Sequence, residues 1–138
     1  MSDDVALPKP GTYVDSQPFW DGLRERRLVL QYCRDTGRFQ HYPRPVSLFT
    51  GKRNLEWREV SGKGSIYAVT VMRVPGLGYG GKPPYVVATI ELEEGVRIIA
   101  RIVNCAPEAA RIGLPVCLAW EPLGEGVYPA FELATGRP

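Results

Sequence analysis

The plainest piece of architecture in this chain is Tyr85-Val86-Val87-Ala88-Thr89-Ile90-Glu91-Leu92-Glu93-Glu94-Gly95-Val96-Arg97-Ile98-Ile99-Ala100-Arg101-Ile102-Val103. Two runs rich in β-branched side chains, 85–92 and 96–103, flank Glu93-Glu94-Gly95. That connection suits a hairpin, and its glycine accepts the positive φ that a tight turn requires. Upstream, 66–74 alternates Ile66, Ala68, Thr70, Met72 and Val74 on one face with Tyr67, Val69 and Val71 on the other. Downstream, Arg111-Ile112-Gly113-Leu114-Pro115 leads into 116–120, and 127–133 is a last apolar run. Leu55 and Trp57 also alternate with polar neighbours. About five short strands therefore follow residue 54, each bounded by turn residues, with no helical period between them. Strands at this spacing suggest a barrel, which removes exposed edges; a sandwich of few strands is the alternative.

Before residue 54 the pattern differs. Ser16-Gln17-Pro18-Phe19-Trp20-Asp21-Gly22-Leu23-Arg24-Glu25-Arg26 reads as a short amphipathic helix. Ser16 is placed to cap it, Pro18 is tolerated in its first turn, and Phe19, Trp20 and Leu23 form its apolar face. An aromatic helix ahead of a barrel is a candidate for docking to a partner. Two short strands, 28–32 and 38–42, are joined by Arg34-Asp35-Thr36-Gly37, and Pro43 and Pro45 exclude helix beyond them. The expected organisation is a flexible arm over 1–14, a helix and hairpin segment over 15–53, and the barrel over 54–138.

Composition agrees with a folded, turn-rich protein. The chain has 138 residues, 44% of them hydrophobic and 23% charged, with 13 prolines and 15 glycines. That is enough to bury a core without disulfides or metals. No run is long and apolar enough to span a bilayer, Met1 to Gly11 lacks the order of a signal peptide, and Cys33, Cys105 and Cys117 form no disulfide framework. A cytoplasmic location is expected. Net charge is only +2, yet 24–63 holds Arg24, Arg26, Arg27, Arg34, Arg38, Arg44, Lys52, Arg53, Arg58 and Lys63 against Glu25, Asp35, Glu56 and Glu59. Such an excess can face phosphates of a nucleotide cofactor or nucleic acid; its commoner role is a solvated surface or a contact with an acidic partner.

No catalytic constellation emerges. His41 is the one histidine, in a strand without a nucleophile motif beside it, which usually marks a structural residue. Glu91, Glu93 and Glu94 belong to a hairpin, where a solvated turn is the ordinary reading. The run Gly76-Leu77-Gly78-Tyr79-Gly80-Gly81-Lys82 superficially resembles a phosphate loop, but it lacks the Gly-Lys-Ser/Thr ending and leads into Pro83-Pro84 and a strand. It reads as a loop from which Tyr79 and Lys82 can reach a ligand. Cys33 has Thr36, not cysteine, three residues on, and no second Cys-x2-Cys pair follows, so a zinc site is not made.

The ordered set Phe19-Trp20-Asp21-Gly22-Leu23, Leu30-Gln31-Tyr32-Cys33, Tyr42-Pro43-Arg44-Pro45, Glu56-Trp57, Ser61-Gly62-Lys63-Gly64-Ser65-Ile66-Tyr67, Pro84-Tyr85-Val86-Val87-Ala88, Glu91-Leu92-Glu93-Glu94-Gly95 and Ile112-Gly113-Leu114-Pro115-Val116 resembles the acyl-CoA-associated domain of unknown function 35 family. The resemblance covers about 17–133. It implies a mostly β fold: a short N-terminal helix, a rubredoxin-like zinc-ribbon hairpin, then a five-stranded OB-fold barrel. The family's two Cys-x2-Cys pairs would fall on Cys33, Thr36, Ser47 and Thr50, so the resemblance implies a degenerate, metal-free ribbon. Packing of Leu28, Leu30, Tyr32, Phe39, Tyr42, Leu48 and Phe49 would then hold it.

Members of that family accompany thiolase-like or other acyl-CoA enzymes. The resemblance therefore implies a non-catalytic accessory subunit in a hetero-oligomer, or a homodimer when isolated. It would dock through Phe19, Trp20 and Leu23 and help enclose a CoA thioester shared with the partner. Arg38, Arg44, Lys52, Tyr79 and Lys82 are its candidate CoA contacts; no cofactor bound by this chain alone, no zinc and no membrane are expected. The alternative is a single-strand nucleic-acid binder, which OB barrels often are. Residues 64–138 hold six basic and seven acidic side chains, a poor footprint for nucleic acid. A stand-alone enzyme ranks last.

Overall fold

The computed structural model describes residues 14–74, 83–123 and 126–134. Positions 1–13 of the expected arm, and the loop positions Tyr79 and Lys82, lie outside them. A 3-10 turn, Val14–Ser16, runs into helix α1, Gln17–Arg24. Ser16 does not cap it: the residue takes helix-like dihedrals and its side chain makes no capping bond, because the preceding turn already carries the backbone into the helix. The helix stops where Arg26 takes a φ of 57°, and the Arg26 and Arg27 N–H groups donate back to the Leu23 and Gly22 carbonyls.

Two sheets follow. Strands β1 (Val29–Cys33), β2 (Arg38–Gln40) and β3 (Leu55–Glu59) form an antiparallel sheet in the order β2-β1-β3. Strand β3 corrects the expected boundary at residue 54: Trp57 pairs with Gln31 and Leu55 with Cys33, so β3 completes the first sheet, and the barrel begins beyond it. Local alternation made β3 visible, but not its partner. The barrel consists of β4 (Lys63–Met72), β5 (Tyr85–Leu92), β6 (Arg97–Val103), β7 (Pro115–Leu123) and β8 (Gly126–Leu133), with a 3-10 turn, Pro107–Ala109, between β6 and β7. It closes in the order β4-β5-β6-β8-β7, and β6 and β8 are its parallel pair. This is the five-stranded OB topology.

Strand β4 carries a bulge between Ile66 and Ala68. The extra residue exchanges the faces. Ile66 points inward before the bulge, Val69 and Val71 pack on the core after it, and Ala68 and Thr70 face out. The simple alternation expected over 66–74 is thus corrected halfway along.

One hydrophobic core serves all parts. It joins Phe19 and Leu23 of α1, Leu28 just ahead of β1, Leu30 of β1, Val60 of the connection, and Ile66, Ile90, Ile98, Ile102, Val116 and Phe131 of the barrel. Gly64 marks the tightest spot. A Cβ there would stand 2.4 Å from the Glu91 carbonyl oxygen and 3.0 Å from Ile90 Cγ2, inside the β4–β5 pairing. Gly64→Ala should cost about 2 kcal/mol or more, read as a lowered urea midpoint, since a backbone carbonyl in a ladder cannot step aside.

Candidate functional site

Where the first sheet meets the barrel, large apolar side chains remain outside. Tyr42 is 51% exposed, Leu48 53% and Ile99 61%, with Phe49 beside them at 36%. Three of these, Tyr42, Leu48 and Phe49, were expected to pack the ribbon's interior. They lie instead on the loop after β2, which turns outward, and the interior is filled by Leu28, Leu30 and the buried Gln31 and Gln40.

Two hollows adjoin across this face. The larger, about 640 Å³, lies between β2, the loop carrying Leu48 and Phe49, and the β5–β6 hairpin. Arg38 rests over the Phe49 ring at 4.2 Å, and Arg97 over Tyr67 at 3.6 Å. The smaller, about 420 Å³, is walled by Trp20, Pro43, Tyr128 and Pro129, with the Arg101–Glu121 ion pair among its few polar groups. His41, Tyr42 and Ile99 line both, and the Ile99 N–H donates to Tyr42 Oη at 3.4 Å. A contiguous apolar face of this kind, rimmed by charge, marks an interaction site in an otherwise polar surface.

The helix residues assigned to docking separate here. Phe19 and Leu23 are buried in the core, Leu23 to 2%. All three border the smaller hollow, but Trp20 is the one left partly exposed, standing edge-on to Phe19 at 5.2 Å and to Tyr128 at 6.5 Å. Among the candidate CoA contacts, Arg38 lines the larger hollow, whereas Arg44 and Lys52 line neither. Part of the basic excess is engaged locally: Arg24 pairs with Asp21, Arg27 with Glu59, and both Arg34 and Arg58 with Glu56. The Arg58 hydrogen bond holds the Glu56 carboxyl below its ordinary range. Of the barrel tyrosines, Tyr85 is buried and Tyr67 carries Arg97 over one face of its exposed ring.

His41 lies between Phe19, 5.4 Å away, and Tyr42, 3.9 Å away. Burial pushes its pKa down to about 4, so the ring is neutral at pH 7, and its Nε2 has no hydrogen-bond partner among the described residues. A neutral ring wedged between two aromatic side chains is a packing piece.

Three of the four positions that would hold a metal come together, Ser47 and Thr36 both hydrogen-bonding to Cys33, while Thr50 lies in the turn that Ser47 opens. Cys33 and Ser47 each open a turn that ends on Thr-Gly, Cys33-Arg34-Asp35-Thr36-Gly37 and Ser47-Leu48-Phe49-Thr50-Gly51. In both, the glycine N–H returns to the carbonyl of the first residue, 2.8 Å for Gly37 and 2.9 Å for Gly51, with positive φ at each glycine. Ser47 Oγ donates to the buried Cys33 Sγ at 3.1 Å. Hydrogen bonds from Ser47 and then Thr36 draw the Cys33 thiol down to about 7. Thr50 Oγ1 accepts from the Lys52 N–H. The repeated x-x-Thr-Gly ending was legible in the sequence as a signal for paired turns, although only Cys33 of the four cysteines that would announce them is present.

A ribbon hairpin on an OB barrel, with an aromatic face at their junction, is a recognisable class of protein. The family model for the ChsH2 rubredoxin-like zinc ribbon domain matches residues 20–46, and that for the ChsH2 C-terminal OB-fold domain matches 57–121. The chain is 36% identical over 100 residues to a "DUF35 domain-containing scaffold protein" of Methanocaldococcus jannaschii, covering 70% of each. It belongs to the DUF35 family. It is also 34% identical over 128 residues to a "Probable enoyl-CoA hydratase alpha subunit" of Thermomonospora curvata, spanning 92% of this chain and 40% of that one. Among solved structures, a chain of the "Ltp2-ChsH2(DUF35) aldolase" superposes with a TM-score of 0.84 at 31% identity, over 91% of this chain and 98% of that chain.

Proposed function

We propose that this chain is a non-catalytic accessory subunit that docks onto a thiolase-like or related acyl-CoA enzyme and helps enclose its CoA thioester. The apolar face around Tyr42, Leu48, Phe49 and Ile99 carries the proposal, because a partner is the ordinary reason to leave such side chains outside. The relatives agree in kind: one is described as a scaffold protein, one as a hydratase alpha subunit, and one structure as an aldolase containing a DUF35 chain. The face spans first sheet and barrel, so docking would engage both parts of one rigid core.

The experiment is co-expression with a candidate thiolase-like or related acyl-CoA enzyme, followed by size-exclusion chromatography. A stable complex of the two chains is expected; turnover of a CoA thioester by the isolated chain, with no enzyme associating, would sink the proposal. Within such a complex, Arg38, Arg44 and Lys52, with Tyr79 and Lys82 on the loop outside the described residues, are the groups proposed to meet the CoA. Neutralising Arg38 should raise the complex's KM for CoA substrates at low salt and progressively less as salt screens the phosphates. A KM indifferent to ionic strength would remove Arg38 from that role.

A further inference from the structure

The family's ribbon carries a zinc ion, and the residues here do not fit one. Structural zinc takes four ligands in a tetrahedron, usually Cys and His; this site offers one thiol and three hydroxyls. Its central contact is already made. A sulfur and an oxygen bound to a common zinc would stand about 3.6 Å apart, whereas Cys33 Sγ and Ser47 Oγ are hydrogen-bonded at 3.1 Å. No cluster of three or more metal-ligating side chains occurs among the described residues.

A different device sits one step along the same face of β1. Gln31 and Gln40 are cross-strand partners, both almost fully buried. Gln40 Nε2 donates to Gln31 Oε1 at 2.8 Å and to the Val46 carbonyl at 3.2 Å. Gln31 Oε1 also accepts the Arg44 N–H at 2.9 Å, and Gln31 Nε2 donates to the Arg44 carbonyl at 2.8 Å. Gln40 Oε1 accepts the Leu48 N–H at 2.8 Å. Two side-chain amides thus bind the backbone on both sides of Ser47 to the β1–β2 hairpin. This is the join that zinc makes when each turn supplies two ligands. We infer that an amide clamp, Gln31 with Gln40, together with the Ser47–Cys33 hydrogen bond, holds the second turn to the first in place of the ion, so the ribbon folds without metal while keeping turns that could seat one. Buried polar groups can do this because each is satisfied; a satisfied network specifies one arrangement, and a broken one leaves costly orphans.

The test uses the full chain. Refolded with zinc present and then desalted, it should hold less than about 0.1 zinc per chain by elemental analysis, and a strong chelator should leave its melting temperature unchanged to about 1 °C. Gln40→Ala should lower that temperature by on the order of 5 °C, with or without chelator, by removing the Gln40 partners of the Leu48 N–H and the Val46 carbonyl. The triple variant Thr36→Cys, Ser47→Cys, Thr50→Cys should take up about one zinc and become sensitive to chelation. One zinc in the unaltered chain, lost together with its fold on chelation, overturns the inference. So does a Gln40→Ala variant as stable as its parent. A folded triple variant that ignores zinc overturns the claim that both turns are retained. Should that variant not fold, the chelation and Gln40→Ala results decide the matter between them.

Discussion

Leu48→Asp should abolish co-purification with the partner enzyme while leaving the isolated chain's melting temperature within about 2 °C of its parent. Leu48 is half exposed and touches the solvent side of the face, so the free chain loses little when it changes. In a docked complex the same position would become dry. A carboxylate buried there without a partner charge should weaken association more than about a hundredfold, through faster dissociation. Leu23→Ala gives the opposite pattern. Leu23 is buried among core side chains, so its truncation should cost about 2–5 kcal/mol and lower the melting temperature by on the order of 10 °C. Its effect on docking should follow only from the loss of fold. Trp20→Ala falls between, because Trp20 both packs against Phe19 and Tyr128 and lines the smaller hollow. If Leu48→Asp and Ile99→Asp both co-purify normally, the docking face lies elsewhere on the molecule.

Stability should fall steeply with pH in the window from about 6.5 down to 4, and much of that fall should vanish in His41→Gln. Burial holds the folded His41 neutral down to about 4, whereas an unfolded histidine takes up its proton near 6.5. Between those values the unfolded chain binds more protons than the folded one, so acid favours unfolding. The contribution is fully present above about 6.5 and gone below about 4. A shift of that size corresponds to roughly 3 kcal/mol. Carboxylates such as Glu56, whose pKa is also lowered, add their own acid sensitivity, but they are common to both proteins and cancel in the difference. Urea unfolding of parent and variant at pH 4.5, 5.5 and 7 measures it; parallel curves across that range would show that His41 titrates normally.

Much of this fold was legible from residues alone, and the exceptions share a cause. The hairpin over 85–103 was readable because both strands and their turn are contiguous and the alternation is strict. Helix α1 was readable from Phe19, Trp20 and Leu23, but periodicity reports only that a face is apolar. It does not say what covers that face, and here the chain's own core takes Phe19 and Leu23. Strand β3 was seen and misassigned because its pairing with β1 spans more than twenty residues. The bulge at Tyr67 leaves no mark in a run of β-branched residues, since Ile66, Val69 and Val71 suit either face. Least legible was the apolar face itself. Tyr42, Leu48 and Phe49 come from a proline-containing loop without period, where nothing local distinguishes a side chain turned outward from one turned in.

The position of β8 between β6 and β7 bears on how the chain is made. Strand β6 finishes at Val103, yet its second neighbour in the barrel is supplied only by Gly126–Leu133. At translation rates of about 5–20 residues per second, roughly 2–6 s separate the emergence of the two strands. Through that interval β6 presents an unsatisfied edge, joined near its end by β7, the arrangement most prone to pairing with a neighbouring nascent chain. A message truncated ahead of Gly126 would make the condition permanent and yield a sticky, proteolysis-sensitive product. A partner or chaperone that engages the β5–β6 hairpin early would have its largest effect on soluble yield in just those seconds.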